Sequence, residues 1–364
     1  MKSRDGIVRV GGVGTGRIFQ WAHLNPYPRL WAKARLVGFH DTDHDRAAEA
    51  MDKYRQVLGE YAQAEPAAAE AVAANIAELR VYDSLEAMLD NVDAIDVCTH
   101  SRGRAPTALA ALDAGVHTMV EKPMARTWIE ADRIARAFAE RPEVIFQLND
   151  DNVFEPKYRA VHDLIARGAI GRPQTMTLIR GSQLSSTSVL KAQADGMENG
   201  GGCLMDYGSH GLAGAWYALG THLAVRKVEA VSIGVLHRDR VLEGDPFVME
   251  VEDNARIKVL LEDPATGAWA TIFLEASWCG GHIGPDEEKN GAQGAGYLSI
   301  VGDEGVIDAT GNEQIRVTRC DGGETVVPLK VYPGETVTFN HEIEAFVDAV
   351  RAGTPAEVDA QFGA

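Results

Sequence analysis

Cysteine is scarce in this chain, with four residues among 364 at widely separated positions. No two of them form a CxxC pair, so the sequence lacks both the ligand spacing of a structural zinc site and a disulfide framework. We therefore expect reduced thiols, as in a cytoplasmic protein. The four residues are Cys98, Cys203, Cys279 and Cys320.

Long apolar runs and an excess of positive charge are missing as well. No apolar stretch approaches the roughly 20 residues of a membrane-spanning helix, and the first residues lack the apolar core of a signal peptide. Lysine and arginine number 35 against 53 aspartates and glutamates, a formal net charge of −18. This balance argues against nucleic acid and anionic membranes as partners, and it leaves a small-molecule substrate open.

Internal repeats and low-complexity linkers are absent from the sequence, and the length suggests two domains that each bury a core. Up to residue 124, short apolar runs alternate with amphipathic segments, which is typical of βαβ units in a doubly wound parallel sheet. From residue 174 the runs are mostly of β type and are interrupted by one helix over 206–219. This pattern predicts an α+β domain with a large, open, mostly antiparallel sheet. We place the domains at 1–124 and 125–364, with a last helix over 339–351 that packs back near the first domain.

A glycine turn follows the first predicted strand, as Gly14-Thr15-Gly16, and helical spacing begins directly after it. Glycines at such a turn let backbone amides approach a dinucleotide pyrophosphate, and the helix N-terminus favours the anion. Phe19 occupies the place of the third glycine in this fingerprint. A purely structural turn is therefore an equally good interpretation of the motif alone.

Asp41 ends the second predicted strand, where an acid commonly binds the adenosine ribose hydroxyls of a dinucleotide. No arginine follows it immediately to bind a 2′-phosphate, which favours NAD over NADP. The alternative interpretation is an ordinary acid at a helix N-terminus.

A buried strand over 116–120 runs into Glu121, Lys122 and Pro123. The proline keeps Lys122 out of the helical region and permits a cis peptide bond. Ligands of parallel sheets bind beyond the carboxyl ends of the strands, so Lys122 is well placed for chemistry. The alternative is a solvated lysine at a strand end.

A glycine-rich patch at 200–202 precedes Asp206 and His210. On a helix, residues four apart share one face, and a histidine oriented by a carboxylate can transfer protons near neutral pH. On spacing alone, an aspartate cap and a core histidine form the simpler interpretation. A metal pair has no third ligand nearby in the sequence, so we predict no metal site.

The sequence resembles the Gfo/Idh/MocA oxidoreductases in the order of four motifs. These are the GxG turn, the strand-end aspartate, Glu121-Lys122-Pro123 and the GGGxLxDxGxH run over 200–210. This family is the group of glucose–fructose oxidoreductase and inositol dehydrogenase, and the resemblance covers residues 6–352. Ala22-His23-Leu24 after the first turn fits as well. The resemblance implies a Rossmann domain and an α+β domain, with NAD(P) and a sugar or polyol bound in the cleft between them. It also implies a homodimer or homotetramer formed through the C-terminal sheet.

The resemblance further implies roles for individual residues. Lys122, Asp206 and His210 would be catalytic and would contact substrate, and either Lys122 or His210 would be the base. Arg180 at a strand end, and Lys191 and His282 in polar loops, are further candidates for substrate binding. The residues implied to bind the cofactor are Gly14, Thr15, Gly16, Arg17, Ile18, Asp41, Thr99, His100, Glu121, Lys122 and Asn149.

One segment departs from the family pattern. After Thr99 the family usually shows Pro-Asn, followed shortly by a histidine, whereas this chain has His100-Ser101-Arg102-Gly103-Arg104. The cofactor contacts of this loop are therefore expected to differ, including in charge.

These features lead to the hypothesis of a reversible alcohol–ketone interconversion on a sugar, polyol or cyclitol, with hydride transfer to NAD. Two alternatives are an eliminase or glycosidase that uses NAD without net oxidation, and a non-catalytic NAD-binding regulator. The joint presence of Lys122, Asp206 and His210 argues against the regulator, because a sensor needs no proton-transfer groups.

Overall fold

The computed structural model describes residues 6–181, 190–191, 194–242, 244–279, 297–330 and 337–364. The chain divides into two compact units. One contains the described residues up to Asp150 together with the C-terminal segment, and the other begins at Asp151 and ends before that segment. The first unit thus continues past the boundary predicted at 124, because the strand over 146–149 completes its sheet.

The first unit contains a parallel sheet of six strands in its described residues, as the βαβ pattern predicted. Their order is β3-β2-β1-β4-β5-β6. The order reverses between β1 and β4, and ligands of open α/β sheets bind at such a switch point. The strands are β1 (Val8–Val13), β2 (Ala34–His40), β3 (Arg80–Val81), β4 (Ala94–Val97), β5 (His117–Glu121) and β6 (Phe146–Asn149).

The second unit contains a mixed sheet of eight strands in its described residues, in the order β16-β15-β14-β13-β7-β12-β11-β8. All neighbours are antiparallel except β7 and β12. A separate hairpin pairs β9 with β10. The strands are β7 (Pro173–Gly181), β8 (Ala224–Gly234), β9 (Asp239–Leu242), β10 (Asp245–Val248), β11 (Asn254–Glu262), β12 (Trp269–Ser277), β13 (Leu298–Gly302), β14 (Gly305–Asp308), β15 (Gln314–Arg319) and β16 (Glu324–Pro328).

Helices cover the sheets, and shorter helical turns lie at several strand ends. The helices are α1 (His44–Ala64), α2 (Ala69–Glu78), α3 (Leu85–Leu89), α4 (Ser101–Asp113), α5 (Trp128–Ala139), α6 (Pro156–Ala166), α7 (Gly196–Asn199), α8 (Ser209–Leu219), α9 (Val337–Ala352) and α10 (Ala360–Gly363). Short 3₁₀ helices cover Tyr27–Leu30, Pro66–Ala68 and Asp151–Phe154, and π-helical turns cover Phe19–His23 and Leu204–Gly208. Helix α9 packs into the core of the first unit through Ile343, Phe346 and Val347.

Side-chain caps explain several helix boundaries. Thr127 and Glu130 form a capping box at the start of α5, with Glu130 N–H donating to Thr127 Oγ1 at 3.3 Å and Thr127 N–H to Glu130 Oε2 at 3.1 Å. Helix α4 begins at Ser101, so Pro106 lies inside the helix and removes one backbone donor there.

Two expectations from composition can be compared with the structure. The four cysteines, which all lie in the described ranges, are free thiols. Among the helices that the structure describes, none combines the length and the apolar composition needed to cross a membrane.

Candidate functional site

The glycine turn joins β1 to the π turn Phe19–His23. Gly14 has a left-handed φ of +79°, and a Cβ there would lie 2.7 Å from the backbone nitrogen of Thr99. A side chain at 14 is therefore excluded both by conformation and by the close approach of the chain after β4. Around Gly16, by contrast, a Cβ would meet no atom within 4 Å. Open space at the start of a helical segment suits an anionic group such as a pyrophosphate.

Phe19 accounts for the missing third glycine of the fingerprint. A Cβ on Gly12 would lie 2.2 Å from the Phe19 ring, so the ring packs directly on the backbone of β1. The third glycine of the fingerprint normally allows helix and strand to approach closely. In this chain the glycine that allows the close approach is Gly12 in the strand, and the side chain that packs on it is Phe19 of the helical segment.

Asp41 stabilises the glycine turn from the end of β2. Its Oδ2 accepts from Thr15 N–H at 2.8 Å, while its Oδ1 accepts from Asp43 N–H at 3.0 Å and Arg46 Nη1 at 3.3 Å. The preference for NAD was based on the absence of an arginine immediately after the strand. Arg46 lies five positions after Asp41 and still reaches it, because α1 begins at His44 and places Arg46 in its first turn.

The ends of β4, β5 and β6 bring three further predicted residues together. Lys122 N–H donates to Asn149 O at 3.0 Å, and the Lys122–Pro123 peptide bond is cis, as the sequence allowed. Thr99 Oγ1 and Asn149 Nδ2 are buried without a hydrogen-bond partner among the described residues. Such atoms are rare in folded proteins. Their position at the switch-point strands fits a polar cofactor such as a dinucleotide.

Arg104 links two of these strand ends and was missed as a site residue. Its Nε donates to Thr99 O at 3.0 Å and its Nη1 to Pro123 O. Burial lowers the pKa of Arg104 to about 10, partly opposed by the charge of Glu121. The predicted cofactor residue His100 is exposed and precedes α4. The sequence showed the positive charge at 104 but gave no sign of its burial.

A polar cluster lies beneath Glu121. The His23 ring is completely buried, with Nδ1 2.9 Å from Asp96 Oδ2 and Nε2 3.0 Å from Glu121 Oε1. The ligand atoms of His23, Asp96 and Cys98, and likewise those of His23, Glu121 and Glu342, lie within 4.8 Å of one another. Either set has the spacing of a metal site, although hydrogen bonds already occupy both ring nitrogens.

In the second unit, Glu252 holds the start of the segment that carries Asp206 and His210. Its carboxylate accepts from Gly202 N–H at 2.9 Å and Leu204 N–H at 3.1 Å, and its carbonyl accepts from Cys203 N–H at 2.9 Å. A Cβ at 202 would lie 2.0 Å from that carbonyl oxygen, so only glycine fits. An anion at the start of a helical segment also satisfies its free N–H groups.

Asp206 lies in the π turn Leu204–Gly208, and α8 begins only at Ser209. The predicted continuous α-helix over 206–219 is therefore wrong in its first turn, and the four-residue spacing does not have its α-helical geometry. Asp206 Oδ2 accepts from Trp278 Nε1 at 3.0 Å. Trp278 is fully buried, so it anchors the carboxylate to the core of the second unit.

His210 has an orienting carboxylate that the sequence did not indicate. Its Nδ1 lies 3.3 Å from Asp151 Oδ1, and both side chains are mostly buried. A carboxylate at Nδ1 favours the tautomer in which Nε2 is the basic atom. Asp151 was missed because it lies 59 positions earlier in the chain, in a 3₁₀ turn without a recognisable motif.

The remaining substrate candidates have different surroundings. Arg180 Nη2 donates to Asn152 Oδ1 at 3.0 Å, and its Cγ would lie 3.4 Å from a Cβ at Gly211, beside His210. Lys191 is exposed and its Nζ lies 3.9 Å from Asp245 in the β9–β10 hairpin. His282 lies outside the described residues.

Two family profiles match the chain. Residues 8–149 match the oxidoreductase family profile with an NAD-binding Rossmann fold, and residues 158–308 match the GFO/IDH/MocA C-terminal domain. The two matches cover the glycine turn, the Lys122 turn and the segment with Asp206 and His210.

Individual proteins are similar at lower identity. Inositol 2-dehydrogenase 3 of Saccharopolyspora erythraea is 30% identical over 166 residues, which cover 46% of this chain and 43% of that protein. A dTDP-3,4-didehydro-2,6-dideoxy-alpha-D-glucose 3-reductase of Streptomyces violaceoruber is 29% identical over 299 residues, covering 81% of this chain and 78% of that protein. The structure of levoglucosan dehydrogenase in complex with NADH and levoglucosan has a TM-score of 0.75 at 20% identity, covering 98% and 93% of the two chains. At this identity it establishes a shared fold.

Proposed function

Because the chain belongs to the Gfo/Idh/MocA oxidoreductase family, we propose that it oxidises a secondary alcohol of a sugar, polyol or cyclitol with NAD. The observation that carries this proposal is the His210 imidazole oriented by Asp151, in a chain that also has the Lys122 turn. Similar proteins act on inositol and on a deoxyglucose derivative, by their names, which supports a hydroxylated substrate.

The cofactor would be held by the glycine turn and by the ends of β4, β5 and β6. Gly14 and Gly16 would approach the pyrophosphate, and Asp41 the adenosine ribose. Thr99 and Asn149 have buried polar atoms that such a ligand would satisfy. When bound, NAD+ supplies the hydride acceptor.

The proton of the substrate hydroxyl would pass to His210. With Asp151 at Nδ1, the neutral ring presents Nε2 as a base, which is the state that alcohol oxidation requires. Lys122 would bind the hydroxyl oxygen and stabilise its developing negative charge. Asp206, fixed by Trp278, would accept a hydrogen bond from a neighbouring hydroxyl.

The function is tested by following NADH absorbance with NAD+ and a panel of inositols, aldoses, sugar acids and glycosides, with product analysis in each case. We expect one substrate class to give a ketone and a stoichiometric amount of NADH. Product without NADH would point to a redox-neutral reaction instead. NAD binding without any product would contradict an enzymatic role on these compounds.

Cofactor choice gives a specific prediction at Asp41. Asp41→Asn keeps an acceptor for Thr15 N–H but releases Arg46 from one carboxylate. We expect the ratio of kcat/KM for NADP to that for NAD to rise at least about tenfold, since a charge-assisted hydrogen bond contributes roughly 1.5–3 kcal/mol. Adding Arg46→Ala should abolish the gain. An unchanged ratio in Asp41→Asn would show that Asp41 does not select the cofactor.

We further propose that the open face of the eight-stranded sheet binds a second copy, giving a homodimer or homotetramer. Phe273, Val301 and Val306 are 39%, 42% and 36% exposed on this face, and Val301 pairs directly with Val306. Exposed apolar side chains that share one face of a sheet are a feature of protein interfaces.

The assembly is measured by light scattering coupled to size-exclusion chromatography. Phe273→Lys combined with Val301→Lys should lower the mass to that of a monomer, because two buried charges would have no partner. Val241→Lys, at a 73% exposed position in the β9–β10 hairpin, is the matched control and should leave the mass unchanged. A monomeric wild-type protein would refute the proposal.

A further inference from the structure

His23 connects the glycine turn to the Lys122 turn. It lies at the end of the π turn that follows the glycines, and its two ring nitrogens contact Asp96 in β4 and Glu121 at the end of β5. Because Glu121 precedes Lys122 directly, these contacts join the predicted pyrophosphate-binding turn to the backbone that carries the lysine.

The two contacts determine the protonation state of the ring. A neutral imidazole has one N–H and a carboxylate only accepts, so a neutral His23 would direct a lone pair at one carboxylate oxygen. Asp96 already accepts a second hydrogen bond, from Tyr27 Oη at 2.8 Å. Where both carboxylates are acceptors, both ring nitrogens of His23 must therefore carry a proton.

The charges around the cluster agree with this assignment. Burial alone lowers the pKa of His23, but the Asp96 carboxylate raises it, and the result lies well above the ordinary value. Burial alone raises the pKa of Glu121, but the hydrogen bond and charge of His23, followed by Arg104 and Lys122, bring it below its ordinary value. Glu121 is thus an ionised acceptor.

Other groups also face the ring. Cys98 Sγ lies 3.5 Å from His23 Nδ1, and burial raises the pKa of this thiol, which keeps it protonated. Glu342 of α9 is buried, with a carboxylate oxygen within 4.8 Å of the ligand atoms of His23 and Glu121. The rings of Phe19 and Phe339 lie 6.3 and 5.6 Å from the His23 ring and help exclude water.

We propose that His23 is a positioning residue, an imidazolium held between Asp96 and Glu121 that fixes the Glu121 carboxylate and the Lys122 backbone relative to the glycine turn. The role of the lysine rests on the proposed function, whereas the charge state of His23 does not. A neutral side chain at 23 would leave Glu121 buried next to Glu342 without its main cationic partner.

The charge state is tested directly by nitrogen-15 NMR of the histidine rings in the full-length wild-type protein, with the His23→Gln spectrum as the assignment control. We expect both ring nitrogens of His23 to carry protons at neutral pH and above. A neutral ring would overturn the proposal. So would a metal ion bound to the ring, which elemental analysis of the same sample would detect.

The positioning role is tested by the pH dependence of kcat/KM in His23→Gln. Without the imidazolium the pKa of Glu121 rises, so the acidic limb of the profile should move up by about one to two pH units. Cys98→Ser, which alters a contact of His23 but not Glu121, should keep the wild-type profile. If His23→Gln lowered kcat/KM without moving the acidic limb of its pH profile, His23 would have a structural role only.

These measurements distinguish a failure of the proposed function from a failure of the inference about His23. A doubly protonated His23 in a protein without dehydrogenase activity would reject the proposed function and, with it, the positioning role. A neutral His23 in an active dehydrogenase would reject only the inference about His23.

Discussion

Replacing Lys122 with alanine is expected to lower kcat by about 10²- to 10⁴-fold, the range for loss of a group that assists proton transfer or stabilises developing charge. NAD+ should still bind, because the glycine turn and the ends of β4 and β6 remain intact. The loss should therefore appear in kcat, measured as the initial rate of NADH formation, and not in the dissociation constant for NAD+ measured by calorimetry.

Lys33→Ala is the matched control for this substitution. Lys33 belongs to the same unit, but its Nζ is paired with Glu344 and Asp348 at the surface, at 2.7 and 2.9 Å. We expect wild-type kcat from it. If Lys122→Ala retained wild-type turnover, the lysine would be a solvated residue at a strand end, and the proposed chemistry would lose its oxygen-binding group.

His210→Gln is expected to lower kcat by a similar factor of about 10² to 10⁴, since glutamine cannot accept the hydroxyl proton. Asp151→Asn should lower it in the same direction, because an amide at Nδ1 no longer enforces the tautomer with a basic Nε2. Rates measured at raised pH distinguish the role of His210 from that of Lys122. A substrate hydroxyl that ionises without a base should depend less on His210 but should still require Lys122.

His162→Gln is the control for His210. The Nδ1 of His162 lies 3.0 Å from the Tyr217 carbonyl in the same unit, which is an ordinary structural contact. Its replacement should leave kcat unchanged. A His210→Gln variant with normal kcat and only a raised KM would assign the histidine to substrate binding and leave Lys122 as the base.

Strands β1, β2, β4, β5 and β6 were predictable because they are largely buried and read as continuous apolar runs, whereas the two-residue strand β3 was not. Helix α9 was predictable from its local apolar spacing, whereas the short helix α10 that follows it was not. By contrast, β9, β10 and β16 escaped prediction, since their residues are largely exposed and show no apolar alternation. Burial leaves a pattern in the sequence, whereas an exposed strand is defined by its hydrogen-bonded neighbour.

In the candidate site, too, features set by neighbouring residues were predictable and contacts between distant residues were not. The Lys122 turn was predictable because the proline acts on its immediate neighbour. Glu252 and Trp278 were not, although they hold the segment around Asp206, because they lie 48 and 72 positions from the residues they contact. Spacing suggested that Asp206 orients His210, whereas the structure places Asp151 at Nδ1 of this histidine, a partner that no helical periodicity indicates.

The most direct measurement is a crystal structure of the protein with NADH and the alcohol substrate that the panel identifies, a combination that cannot react. We predict that the reacting oxygen lies within hydrogen-bond distance of both Lys122 Nζ and the His210 imidazole. An alcohol bound away from either side chain would contradict it.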